Sequence, residues 1–206
     1  MVIPGARQVG GATATLIWVS IALVLADVLA YRLILGAQGG PPPDSAAVVP
    51  FVGGYMLLMA ALLGLSLLGN PRVAMLGPAM LAAAAAGLML LGFFALFSIG
   101  LAIFAAGILA AIAAIRTLAG RSSRNAILSG VAGAVIAVTL LVGGFEVTQR
   151  IIVCPTGTMG GGGSGFLTGP YHYTCVNGKL TMYSGDCNGV TGGFDANGNP
   201  IAANGC

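Results

Sequence analysis

The residues of this chain that could do chemistry are few and unevenly placed. All four cysteines, Cys154, Cys175, Cys187 and Cys206, fall within the last 53 residues. A thiol–disulfide oxidoreductase needs a closely spaced reactive pair such as C-x-x-C. Here twenty, eleven and eighteen residues intervene between successive cysteines, so that activity ranks lowest among the functions considered. An even number of cysteines in a short, Gly-rich segment instead predicts a structural disulfide framework, provided the segment faces an oxidising compartment. Three pairings are open.

Three ionisable residues lie within or at the edge of apolar runs: Asp27, Arg32 and Glu146. A charge at the centre of a bilayer costs about 2.5–3.5 kcal/mol on insertion scales, so such groups pair or face the bundle interior. Asp27 and Arg32 are five residues apart, about 140° around a helix, which makes them a poor intrahelical pair. Arg32 is expected to reach Glu146, leaving Asp27 to Tyr31, Thr139 or a backbone carbonyl. The chemistry open to Asp27 is proton or ion transfer, with Arg32 and Glu146 as an outer gate.

Other motifs are weaker. "DANGN" (195–199) places Asp195, Asn197 and Asn199 at the spacing of a calcium loop, but Pro200 stands where the sixth-position glycine is needed. A plain Asn-Gly turn is expected instead. "GGGGSG" (160–165) lacks the lysine of a phosphate-binding loop and reads as a flexible linker. His172 is the only histidine, which excludes bis-histidine haem and argues against zinc. No catalytic set, metal site or cofactor is expected, and enzymatic activity is the less favoured class.

The elements that position these residues follow from composition. The chain is 57% hydrophobic and 6% charged, against roughly 25% charged in soluble domains. That indicates an integral membrane protein. No basic cluster resembles a nucleic-acid footprint.

The uncharged run from Val73 to Ile115 would measure about 65 Å as one helix, twice the ~30 Å hydrocarbon core. Two helices turning between Phe93 and Gly100 fit, with Phe93, Phe94 and Phe97 near the interface. Five spans are therefore expected, at about 13–36, 46–68, 73–94, 98–116 and 125–147. Arg7, Arg72, Arg116, Arg121 and Arg124 then fall on one side, which the positive-inside rule makes cytoplasmic, and only Arg150, just past the last span, breaks the pattern in the near-membrane flanks. Residues 1–12 form a cytoplasmic N-terminus and 150–206 an extracytoplasmic domain, where disulfides persist. The first span carries Asp27 and Arg32 and exceeds a signal-peptide core in length, so it reads as an uncleaved signal anchor.

Small residues recur at steps of four: Ala79, Ala83 and Gly87; Ala102, Ala106, Ala110 and Ala114; Ala126, Gly130 and Ala134. Such ladders predict close helix packing. In the tail, "YHYTCVNGKLTMY" (171–183) flanks Asn177-Gly178, the preferred type I′ turn, with two β-prone runs. In that register Cys175 faces Leu180, Tyr173 faces Met182 and His172 faces Tyr183. Tyr171, His172, Tyr173 and Tyr183 are the expected outer contact surface.

The expected fold is an all-α polytopic bundle of five transmembrane helices (13–149) with a small C-terminal, disulfide-stapled, β-rich extracytoplasmic domain. The expected function is that of a non-enzymatic accessory or assembly subunit, or a surface interaction protein, of a bacterial cell membrane. Its partners would be the lipid bilayer and other membrane subunits or a homo-oligomer, with no nucleic acid. The alternative is a small proton- or ion-coupled transporter or channel component that uses Asp27.

Overall fold

The structure is a computed structural model describing residues 10–40, 45–68, 71–96, 100–119 and 124–184, without the side chains of 71–74, 183 and 184. The helices are α1 (Gly11–Ala37), α2 (Val48–Ser66), α3 (Pro71–Phe94), α4 (Gly100–Ala119) and α5 (Arg124–Thr148). Each contains a stretch long and apolar enough to cross a bilayer, which suggests a multi-pass membrane protein. Three strands follow, β1 (Thr158–Gly165), β2 (Gly169–Val176) and β3 (Lys179–Ser184).

Helix ends follow local chemistry. α1 stops where Gly39 and Gly40 take φ of +86° and +103°, a left-handed conformation that costs glycine little. α3 opens on Pro71, whose fixed φ suits a first helical turn and whose missing N–H is not needed there. The apolar run from Val73 to Ile115 is two helices, as its length requires. α3 ends at Phe94, and the Gly100 N–H that opens α4 donates to the Ala95 carbonyl at 2.9 Å. Phe93 and Phe94 are exposed; Phe97 lies outside the described residues.

The chain divides into two compact units, one of residues 1–38 and 53–141, the other of 39–52 and 142–206. In the first, α4 packs on α3 and α1. Missing side chains set how close the helices come. A Cβ on Gly107 would stand 2.7 Å from the Met89 backbone nitrogen, and one on Gly92 2.5 Å from that of Phe104. The two contacts match in antiparallel sense, so α3 and α4 form a helical hairpin held backbone to backbone. Gly133 of α5 meets the Ala79 backbone of α3 in the same way.

The expected ladders are partly realised. Ala106, Ala110 and Ala114 are buried on α4, with Ala102 half-buried. On α5 the buried line runs through Gly130, Gly133, Ala137 and Leu141, while Ala126 and Ala134 are half-buried. A step of four drifts off a 3.6-residue helix, and the packed line takes one step of three and two of four to stay on one face.

The second unit contains the sheet, antiparallel and ordered β1-β2-β3. The β2–β3 hairpin has the expected register: Cys175 opposite Leu180, Tyr173 opposite Met182, His172 opposite Tyr183. Asn177 at φ +50° and Gly178 at +79° give the two left-handed residues of a type I′ turn.

"GGGGSG" is not a linker. Residues 160–165 belong to β1 and pair along β2 from Gly160–Thr174 to Gly165–Gly169. A Cβ on Gly161 would lie 2.6 Å from the Tyr173 hydroxyl, and one on Gly163 2.6 Å from the Tyr171 hydroxyl. The two rings lie across the strand where its side chains would stand. An edge strand otherwise weak in packing gains its apolar cover from its neighbour.

Candidate functional site

The polar groups of the first unit are mostly committed to the bundle. Ser20 on α1 donates to the Ala106 carbonyl of α4 at 2.8 Å. Tyr55 on α2 donates to the Ala137 carbonyl of α5 at 2.9 Å, and its hydroxyl fills the space where a Gly87 side chain would stand. Ser66, Thr117, Ser129 and Thr139 donate to carbonyls three or four residues back on their own helices. Such bonds satisfy a hydroxyl in apolar surroundings without a partner helix.

Asp27 is the exception. It sits on the buried face of α1 with Ile17, Ser20, Ile21 and Val24, at 8% exposure. Its Oδ2 has no hydrogen-bond partner among the described residues. Thr139, one of its expected partners, bonds to the Val135 carbonyl and is exposed. A buried carboxylate oxygen left unbonded carries a full desolvation cost, so Asp27 is the one chemically unsettled group on that face. Arg32, five residues on, is exposed, with its guanidinium near Gly53 of α2.

Glu146 does not await an arginine. Its carboxylate accepts from the Leu167 N–H at 3.3 Å, from the Thr168 N–H at 3.1 Å, and from the Thr168 hydroxyl. These donors belong to the three-residue loop 166–168 joining β1 to β2, closed by Gly169 at φ +71°. A side chain on Gly165 would collide with the carboxylate and with Thr168. The Tyr171 hydroxyl donates to the Gln149 carbonyl at 2.8 Å, and the Arg150 guanidinium lies 5.7 Å from the centre of the Tyr171 ring, within cation–π range. Nearby, Phe51 at the start of α2 packs edge-on to Phe145 at 5.6 Å and covers Gly144. The last turns of α5 therefore hold the sheet by backbone and side chain together.

Cys154 and Cys175 are bridged, which resolves one of the open pairings; Cys187, Cys206 and the "DANGN" stretch lie outside the described residues. Cys175 is fully buried, packed with Ile152, Tyr171 and Tyr173 and flanked by Cys154 and Met159. The bridge is therefore built into the core of the sheet on its Cys175 side, with Cys154 partly buried.

The expected contact surface needs correction at two positions. Tyr171 and Tyr173 are 6% and 5% exposed and form the sheet's core, because the glycines opposite them leave room for the rings to fold inward. His172, on the other face, is exposed. Tyr183 pairs with it along the ladder.

Sequence reasoning missed Gly165, Thr168 and Gln149, which hold the junction. The only available signal was Glu146 itself, an acid at the end of an apolar span with no cation at helical spacing. Among the described residues no group of three His, Cys, Asp or Glu side chains is placed to hold a metal ion.

Comparison with protein-family models, with curated proteins and with solved structures gives no match.

Proposed function

We propose that this chain is a multi-pass membrane protein that acts without catalysis, as an accessory or assembly subunit presenting a stapled sheet on the extracytoplasmic side. The carrying observation is the mounting of the sheet: Glu146 on the 166–168 loop, Tyr171 on the Gln149 carbonyl, and the Cys154–Cys175 bridge. A small domain held this firmly to a helix end is suited to presenting a contact surface in a fixed orientation. The arginine distribution supports a cytoplasmic N-terminus, and an outward tail supports the persistence of the bridge.

The test is purification in mild detergent with mass spectrometry of what accompanies the chain. A stoichiometric membrane partner or a homo-oligomer is expected, and a lone monomer would overturn the reading. Orientation has its own check. An amine reagent confined to the outside should label Lys179, and a thiol reagent so confined should not reach a cysteine introduced at Ser122.

A second reading rests on Asp27, whose buried, unbonded Oδ2 gives it the character of a protonatable site. In that case the chain is a component of a small proton- or ion-coupled transporter. Proton-coupled flux in proteoliposomes would be lost in Asp27→Asn, and unchanged flux would remove this reading.

A further inference from the structure

The loop that Glu146 holds has an unusual outward face. Phe166 is 63% exposed and Leu167 78% exposed, two adjacent large apolar side chains at the tip of a hairpin. Val147, Ile151 and Val153, close in sequence to the helix residues that hold the sheet, are exposed as well. In water, such a tip would be a liability.

Its depth gives it another meaning. Glu146 lies 22 residues after Arg124 on one continuous helix, a rise of about 33 Å. With Arg124 at the inner surface, Glu146 stands at the outer edge of a hydrocarbon core ~30 Å thick. The loop bonded to Glu146 is fixed at that level.

At the edge of the hydrocarbon core water is scarce, so an irregular loop there needs protein partners for its N–H groups. The N–H groups of Leu167 and Thr168 and the Thr168 hydroxyl are satisfied by the Glu146 carboxylate, toward which the Phe166 amide is also turned.

We infer that the Phe166–Leu167 loop is a membrane anchor: its two side chains enter the outer leaflet, and Glu146 serves as the internal acceptor that lets the loop's amides leave water. Phenylalanine and leucine are apolar enough for the acyl boundary, and lipid is the only occupant this placement calls for. The inference rests on the membrane topology proposed above and adds a sixth point of contact with the bilayer, made by the outer domain.

The chain carries a single tryptophan, Trp18, exposed on α1, so fluorescence can report one site at a time. The probe is the full chain in phosphatidylcholine vesicles brominated in the upper acyl chain. In the wild type, Trp18 should be quenched by the bromines; if it is not, the bilayer reading itself fails. In Trp18→Phe/Phe166→Trp, emission should be blue-shifted, quenched by bromolipid and shielded from acrylamide. Leu167→Trp in the same background is a second probe should the first not fold.

Quenching of Trp18 together with water-like, acrylamide-accessible emission at both loop positions would overturn the anchor while leaving the topology standing. Adding Glu146→Ala should shift the loop probe to the red and reduce its bromolipid quenching. Unchanged quenching there would remove Glu146 from the account.

Discussion

Removing the Cys154–Cys175 bridge should release the sheet, and the size of the effect can be worked out beforehand. The bridge spans a sequence separation of 21 residues. On the chain-entropy account, closing a loop of that size raises the free energy of the unfolded segment by about 3 kcal/mol. Three short strands over one small core have little to set against such a loss. At 1.4 kcal/mol per decade, the opened fraction should rise on the order of 100-fold.

The variant is Cys154→Ala/Cys175→Ala, both thiols removed together so that neither is left to exchange with Cys187 or Cys206. Lys179 supplies the readout. It begins β3 and pairs with Val176, so trypsin can cut there only after the hairpin opens. With dilute protease, the cleavage rate in detergent follows the open population. Fragments ending at Lys179 should appear on the order of 100-fold faster in the variant. An increase below about 3-fold, under 1 kcal/mol, would refute the view that the bridge holds the sheet together.

Further outcomes follow from the same contacts. Gly161→Val and Gly163→Val should displace the Tyr173 and Tyr171 rings at a cost of about 1–3 kcal/mol each, read as faster amide exchange across β1 and β2. Gly157→Val, with open space around it, should leave exchange unchanged. Gly178→Val should cost about 1–2 kcal/mol, because a β-branched residue is forced to a left-handed φ; exchange at the β2–β3 ladder is the measurement. Gly92→Leu and Gly107→Leu should each lower the thermal midpoint in detergent by separating α3 from α4, whereas Gly54→Leu, which meets nothing within 4 Å, should not.

What could be read from the sequence was whatever length and turn chemistry control. The Val73–Ile115 run had to be two helices because one would be twice too long, and Asn177-Gly178 fixed its hairpin because few other residues accept two positive φ values in succession. Neither depends on distant partners. The glycine strand failed for the opposite reason. Residues 160–165 carry almost no side-chain signal, and their pairing is decided by Tyr171 and Tyr173 on the next strand. The same inward fold of those rings removed two tyrosines from the expected contact surface. Glu146 stands out in the sequence as an acid at the end of an apolar span, but the donors it binds are mainly backbone amides, which every sequence offers everywhere.

The position of Cys154 limits where the bridge can stand. Thr148 closes α5, and Cys154 follows six residues later, so even a fully extended connection reaches only about 20 Å. The bridge to Cys175 ties the middle strand to the end of that short leash. That reach is a ceiling on how far the bridge can stand from the helix that carries Glu146. The bridged pair therefore stays within that reach of the end of α5.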